Sequence, residues 1–448
     1  MTLDNRLQQK QELKTLSEAL FNDLTAHESL TLTYSGEKSL FVRINQAKVR
    51  QATDVDQGYL SLDFISGQKH TEASVAITGE LTEDLRRVRD ILKGCRKDCE
   101  TLPDDPYLVL PEKGDSSDED HYGKCLPREQ VAASLLGPAE GCDLVGLYAS
   151  GILMRAQMNS MGIFHWFSTD NFYFDYSLYT KSQKAIKATY AGSHWQDSAY
   201  EESFQLAKQR LVVLDSPSRK LEPGAYRVYL APSAAAELIS VLGWSGLSER
   251  GFRQGQSPLK KLVDGNSKLS PLFSLEEDFS RGSVPRFNEF GELSPMNLPL
   301  INQGKLGSML INKRTAQEYG LCANAANGSE SPRSLKVHAG ALKDSNILKE
   351  LDEGVYISNL HYLNWSDLQN GRVTGMTRYG CFWVENGQIV SPIQDMRFDE
   401  TLYKFFGQSL EALGEKSEPV PHISSYGERS LGGSLVPGML LNSFTFTL

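Results

Sequence analysis

Residues Tyr226 to Pro258 read YRVYLAPSAAAELISVLGWSGLSERGFRQGQSP, and this stretch decides the fold of the second half of the chain. An apolar run (Tyr226, Val228, Leu230) stops at Pro232. Ser233 follows as a candidate N-cap, and an alanine-rich segment with helical spacing begins there. A strand therefore feeds a helix. The apolar positions Ala236, Ile239, Leu242 and Gly243 place that helix against a sheet, and Gly246 and Gly251 are expected to break it.

Working outward, the 448 residues exceed what one hydrophobic core usually organises, about 250–300 residues, so two or three domains are expected. Hydrophobic residues make up 40% and charged residues 23%, as in an ordinary soluble globular protein. No apolar run reaches the roughly 18 residues of a membrane span, and the N-terminus MTLDNRLQQKQELK has no signal-peptide pattern, so a cytoplasmic protein without membrane contact is expected. A net charge of −10 argues against a non-specific grip on nucleic acid. The six cysteines form no paired framework and read as reduced thiols. Cys95 and Cys99 lack two further ligands nearby, so a zinc pair there is not expected.

Toward the N-terminus, residues 4–26 read as an amphipathic helix. Four β-rich runs begin at Ser29, Ser39, Gly58 and Glu72, with turns expected at Ser35-Gly36, Asp56-Gln57-Gly58 and Ser66-Gly67, and a helix follows from Thr82 to Gly94. Residues 101–126 hold three prolines and seven acidic side chains and read as a solvated acidic linker. Beyond it come a helix after Pro127, a hairpin about Ser150-Gly151 and a turn at Asn159-Gly162. The aromatic segment carrying Phe164, Trp166, Phe172, Tyr173, Phe174 and Tyr176 suits a two-layer sheet, a stacking platform being the alternative. A helix with a Ser198/Glu201 capping box follows. The fold class is α+β: an N-terminal α/β part in two lobes (1–100 and 127–220, joined by 101–126), then a mostly β domain (221–448).

Toward the C-terminus, Gly354 to Arg397 reads as a chain of hairpins. Asn370-Gly371 and Asn386-Gly387 mark the turns, and CFWVE pairs with QIVSP across the second. The series Thr374-Gly375, Thr377-Arg378, Gly380, Phe382, Val384, Glu385-Asn386-Gly387, together with Arg314, Ala316 and Gly320, resembles the TldD/PmbA family, also called modulator of DNA gyrase.

In the TldD branch the helix of the opening stretch carries His-Glu-x-x-x-His, with a cysteine near the C-terminal end as third zinc ligand. The resemblance places the histidines on Ser240 and Ser245, the glutamate on Val241 and the cysteine on Tyr426, while Gly246, Leu247 and Ser257-Pro258 stay in register. A serine hydroxyl is a poor zinc ligand beside imidazole, and Val241 moves no proton. The resemblance therefore implies the metal-free PmbA/TldE-like branch: no cofactor in this chain, zinc in a TldD-like metallopeptidase partner, an unfolded or extended peptide as substrate, and a homodimer or heterodimer. His361, Tyr362, Trp365, Arg378 and Trp383 are the candidate peptide groove. A nucleophilic Cys381 with His361 is a weaker candidate, since nothing nearby lowers the thiol pKa. A stand-alone peptidase with a non-standard site and a non-catalytic peptide-binding module are the alternatives.

Overall fold

Long strands with alternating burial build the first half of the molecule, in a computed structural model that describes residues 3–448. After helix α1 (Leu3–Asn22) come β1 (Glu28–Asn45), β2 (Lys48–Ser66), β3 (Lys69–Ala76), α2 (Leu81–Thr101), β4 (Ser117–His121), α3 (Arg128–Leu136), β5 (Asp143–Asn159), β6 (Phe164–Tyr179), β7 (Ala185–Gly192) and α4 (Asp197–Leu214). The seven strands form one sheet in the order β3-β2-β1-β5-β6-β4, with β7 on the other end of β6. The two expected lobes thus share a sheet through β1 and β5 and differ by core. One cluster lies under α1 and α2 around Leu20, Phe64 and Trp166, and the other lies under α3 and α4 around Tyr148, Phe174 and Phe204.

Three expected turns are instead strand interior. Gly36 and Gly58 face each other across β1 and β2, and the Tyr34 ring lies over both; a Cβ on Gly58 would stand 2.8 Å from the Tyr34 hydroxyl. Gly151 sits inside β5, where a Cβ would collide with the Lys38 carbonyl. These glycines serve close approach rather than chain reversal. The β1–β2 reversal occurs at Gln46-Ala47, both left-handed (φ 52° and 51°). The Ser66-Gly67 and Asn159-Gly162 turns form where expected, the second closed by Asn159 Oδ1, which accepts from Met161 N and Ile163 N at 3.0 and 3.1 Å. The Ser198 capping box does not form: α4 begins one residue earlier and has no side-chain cap. The aromatic segment is core, with Trp166, Phe172, Phe174 and Tyr176 all at most 2% exposed.

The acidic linker is not a solvated connector. Its residues 117–121 are β4, parallel to β6, and the Asp120 carboxylate accepts from Trp166 Nε1 at 3.0 Å. Asp105 pairs with Arg314 (2.6 Å) and Glu112 with Lys313 (2.9 Å), so the segment straps the two halves of the molecule together.

The second half is built from β8 (Gly224–Leu230), α5 (Pro232–Ser240), α6 (Glu249–Arg253), β9 (Leu275–Asp278), β10 (Asn297–Asn302), β11 (Lys305–Leu306), β12 (Leu335–Val337), β13 (Gly354–Asp367), β14 (Arg372–Glu385), β15 (Gln388–Pro392), β16 (Arg397–Thr401), β17 (Leu410–Pro421) and β18 (Gly433–Phe446), with further short helices between strands. Strands β18, β16, β14, β13 and β8 close a circuit, because β8 pairs with both β13 and β18. Phe398, Phe405, Phe444 and Phe446 pack together within it, neighbouring ring centroids being 5.0 to 5.9 Å apart. Both expected hairpins form: Asn386-Gly387 (φ 51° and 70°) makes the two-residue turn that aligns Glu385 with Gln388, whereas Asn370-Gly371 ends a four-residue loop, since Asp367 pairs with Arg372. Among the described residues no helix is long and apolar enough to cross a membrane.

Candidate functional site

The strand-to-helix element of the opening stretch forms, with altered boundaries. Pro232, not Ser233, opens α5, because a proline needs no N–H partner in the first turn; Ser233 makes no capping bond. Ala234, Ala235, Leu238 and Ile239 are buried, and α5 packs on β13 and β18. The α-helix ends at Ser240, earlier than the glycines suggested, and a single 3₁₀ turn covers Val241–Gly243. Gly246 then fits a site where a Cβ would lie 2.6 Å from the Leu242 carbonyl.

The frame after α5 is held tightly. Ser257 Oγ donates to the Gly246 carbonyl at 2.7 Å, and the buried Glu330 carboxyl accepts from Ser248 Oγ (2.6 Å), Arg250 N (2.9 Å) and Asn312 N (3.0 Å). The four positions that the resemblance assigns to zinc chemistry carry no side chain suited to a metal. Ser240 is exposed and its hydroxyl donates to the Glu237 carbonyl at 2.7 Å. Val241 is a core side chain, 1% exposed. Ser245 is exposed and left-handed, with φ 67°. Tyr426 is 99% exposed, at the tip of the β17–β18 connection. None of the four offers imidazole, thiolate or carboxylate, the groups that hold zinc. Among the described residues, the one cluster with metal-like spacing is Asp63, His70 and Glu72, on β2 and β3.

That β17–β18 connection is anchored on the N-terminal sheet. Glu428 accepts from Ser35 Oγ and from Arg155 Nη2 (3.1 Å), and Glu37 accepts the Arg429 backbone N–H at 3.0 Å. The Arg429 guanidinium is 1% exposed and donates to Ser39 Oγ and to Asn171.

Of the expected groove residues, three come together. His361 and Tyr362 lie on a bulge of β13, their rings 4.6 Å apart, and Arg378 stands on β14 opposite. His361 and Arg378 both act on Asp395, whose carboxyl burial raises above its usual range while their charges oppose the rise. The backbone edge of β13 beyond Ile357 has no β8 partner, since β8 pairs only as far as Leu230 before the chain turns into α5. Trp365 and Trp383 fall outside this group. Trp365 packs on the core, its indole N–H buried without a partner among the described residues. Trp383 is 5% exposed, stacked under Arg219 at 4.2 Å and donating to Glu385 at 2.6 Å. It lies five residues along β14 from Arg378, about 17 Å at the usual rise of roughly 3.4 Å per residue. Its aromatic type suggested a groove, and its burial makes it core.

Cys381 is buried, its thiol pushed up to about 11, which removes the thiolate a nucleophile requires. Cys95 and Cys99 are buried on α2 and burial raises both thiols.

Two cavities lie along the seam between the halves. One of about 330 Å³ is lined by Arg155, Gln157, Phe287, Arg333 and His422. The other, about 180 Å³, is lined by Asn171, Tyr173, Arg281, Ser283, Arg429 and His422 among others. Apart from Tyr173, named with the aromatic segment, none of these residues was singled out from sequence, because they come from separate loops and strands and no local pattern marks an arginine as buried.

Residues 223–448 match the family model described as the PmbA/TldA metallopeptidase C-terminal domain. No curated protein shows significant similarity. Among solved structures, TldE from Thermococcus kodakarensis aligns with a TM-score of 0.77 at 15% identity, covering 98% of this chain and 100% of that one. Proteins described as modulators of DNA gyrase align with the same TM-score, from Thermotoga maritima (14% identity, 97% and 100% coverage) and from Bacteroides thetaiotaomicron (16%, 100% and 99%). At these identities the structural likeness carries the fold, and the domain match spans just over half of the chain. The chain belongs to the TldD/PmbA family.

Proposed function

We propose that this chain is a metal-free, TldE-like subunit of a TldD/TldE-type peptidase assembly and contributes peptide-binding surface beside a zinc-bearing partner. The observation that carries this reading is the turn after α5. Its glycine, Ser257 and Glu330 supports are all in place, while Ser240, Val241 and Ser245 offer nothing to a metal. The exposed His361 and Tyr362 on the β13 bulge, beyond the last residue that pairs with β8, support a role in holding an extended peptide by side-chain and main-chain contacts. In this reading the assembly is cytosolic and the dimer heteromeric.

Metal analysis of the purified full-length chain tests the first part: no stoichiometric zinc is expected, and about one tightly held zinc per chain overturns it. Peptidase assays test the second. Hydrolysis of an unstructured peptide is expected only when a subunit bearing His-Glu-x-x-x-His is added, and only without chelator. Chelator-insensitive hydrolysis by the chain alone would establish a stand-alone peptidase instead.

A further inference from the structure

The smaller seam cavity has an unusual electrostatic lining. Its walls come from β6 (Thr169, Asn171, Phe172, Tyr173), the end of β7, the Arg281–Ser283 loop, Pro419, Pro421 and His422 at the end of β17, and the Arg429–Gly432 segment. Two arginines and a histidine line it and no aspartate or glutamate does, in a chain of net charge −10.

Several of its donors are unspent. The Arg281 guanidinium has no hydrogen-bond or ion-pair partner among the described residues, and its Nη1 is buried. Arg429 Nε is likewise buried and unpartnered, although the residue is 1% exposed, and so is Ser283 Oγ. The nearby acids are engaged elsewhere. Asp278, whose charge acts on Arg281, accepts from Ser280 and from Lys336 Nζ at 2.9 Å. Glu37 accepts the Arg429 backbone N–H and Gln57 Nε2.

Burial of an unpaired guanidinium N–H is costly, and an anion in the cavity would remove that cost. The lining is not uniformly polar, however. Phe172, Pro419 and Pro421 add apolar wall, which has no complement in inorganic phosphate but suits an organic acid with a side chain.

We propose that this cavity captures the C-terminal carboxylate of a peptide, with Arg281, Arg429 and Ser283 donating to the carboxylate and the terminal side chain resting on Phe172, Pro419 and Pro421. This deepens, and rests on, the peptide-handling reading above. A volume of about 180 Å³ admits a single small terminal residue and leaves the rest of the peptide outside.

The test is calorimetric titration of the full-length chain with Ala-Ala-Ala-Val as free acid and as C-terminal amide, with inorganic phosphate as competitor. Arg281→Gln is the main variant, because its guanidinium holds no structural partner, and Ser283→Ala is the second; thermal melts establish that both fold. Binding of the free acid at least ten-fold tighter than the amide, with the preference lost in Arg281→Gln and reduced in Ser283→Ala, is the expected result. Equal binding of acid and amide, unchanged by Arg281→Gln, overturns the carboxylate pocket and leaves the peptide reading standing. Binding of neither peptide overturns both. Binding of phosphate alone, dependent on Arg281, makes the cavity a phosphate site and overturns the proposal.

Discussion

Single residues around α5 show what holds the turn that follows it. Gly246 is required by space: any Cβ there meets the Leu242 carbonyl at 2.6 Å, and a backbone atom cannot swing away. Gly246→Ala is therefore expected to destabilise the chain by about 1–3 kcal/mol, the usual cost of overpacking, read as a lowered denaturation midpoint in urea. An unchanged midpoint would show that the turn relaxes freely. The Ser240 and Ser245 side chains carry no comparable packing constraint, since Ser240 bonds only within its own helix and both are exposed. The turn is held by groups that neighbour Ser240 and Ser245, not by the two serines.

Among the elements, the acidic strap departs most from its composition. Its charges select partners on the second half, and the Arg314 guanidinium beside Asp105 holds that carboxyl below its usual range. Arg314 is partly exposed, so the pair adds little to global stability, within about 1 kcal/mol. Its work is local: Arg314→Ala is expected to leave the melting temperature almost unchanged while speeding limited proteolysis within residues 101–116 several-fold. Equal cleavage rates in both proteins would show that β4 and the prolines hold the strap alone.

For the whole molecule, the seam between the halves carries both the cavities and a pH dependence. His165 is fully buried, takes a hydrogen bond at Nδ1 from Ser117 Oγ (2.8 Å), donates from Nε2 to the Gly291 carbonyl (3.3 Å) and stacks on Phe287. Burial lowers its pKa from the usual 6.5, so the unfolded chain binds a proton that the folded one refuses. The stabilising contribution is complete above pH 6.5 and is lost as pH falls below it toward the folded value. Thermal melts from pH 7.5 to 5.5 are expected to fall, and less so in His165→Gln; parallel curves would remove His165 as the cause. The same scale governs any attempt to restore zinc. The quadruple variant Ser240→His, Val241→Glu, Ser245→His, Tyr426→Cys is expected to hold no stoichiometric zinc by metal analysis, because position 426, which the resemblance assigns to the third ligand, points to solvent on a loop pinned to the N-terminal sheet. Stoichiometric zinc in that variant would show that the loop reaches α5.

The sequence by itself determined what depends on neighbours a few positions away: the Asn386-Gly387 turn, the strand entering α5, the α+β class, and the absence of imidazole and thiol at Ser240, Ser245 and Tyr426. It also carried the family, through a series of small and turn-forming residues whose spacing is local. Tertiary structure alone decided the rest. A glycine serves a turn or a close approach, and only the facing atom distinguishes them: the Tyr34 ring over Gly36 and Gly58, the Lys38 carbonyl against Gly151. An acidic run becomes a strap only where Arg314 and Lys313 wait for it. Arg281 and Arg429, about 150 residues apart in the chain, line one cavity because β17 and β18 return the chain to the N-terminal sheet, and no local pattern encodes a meeting of that kind.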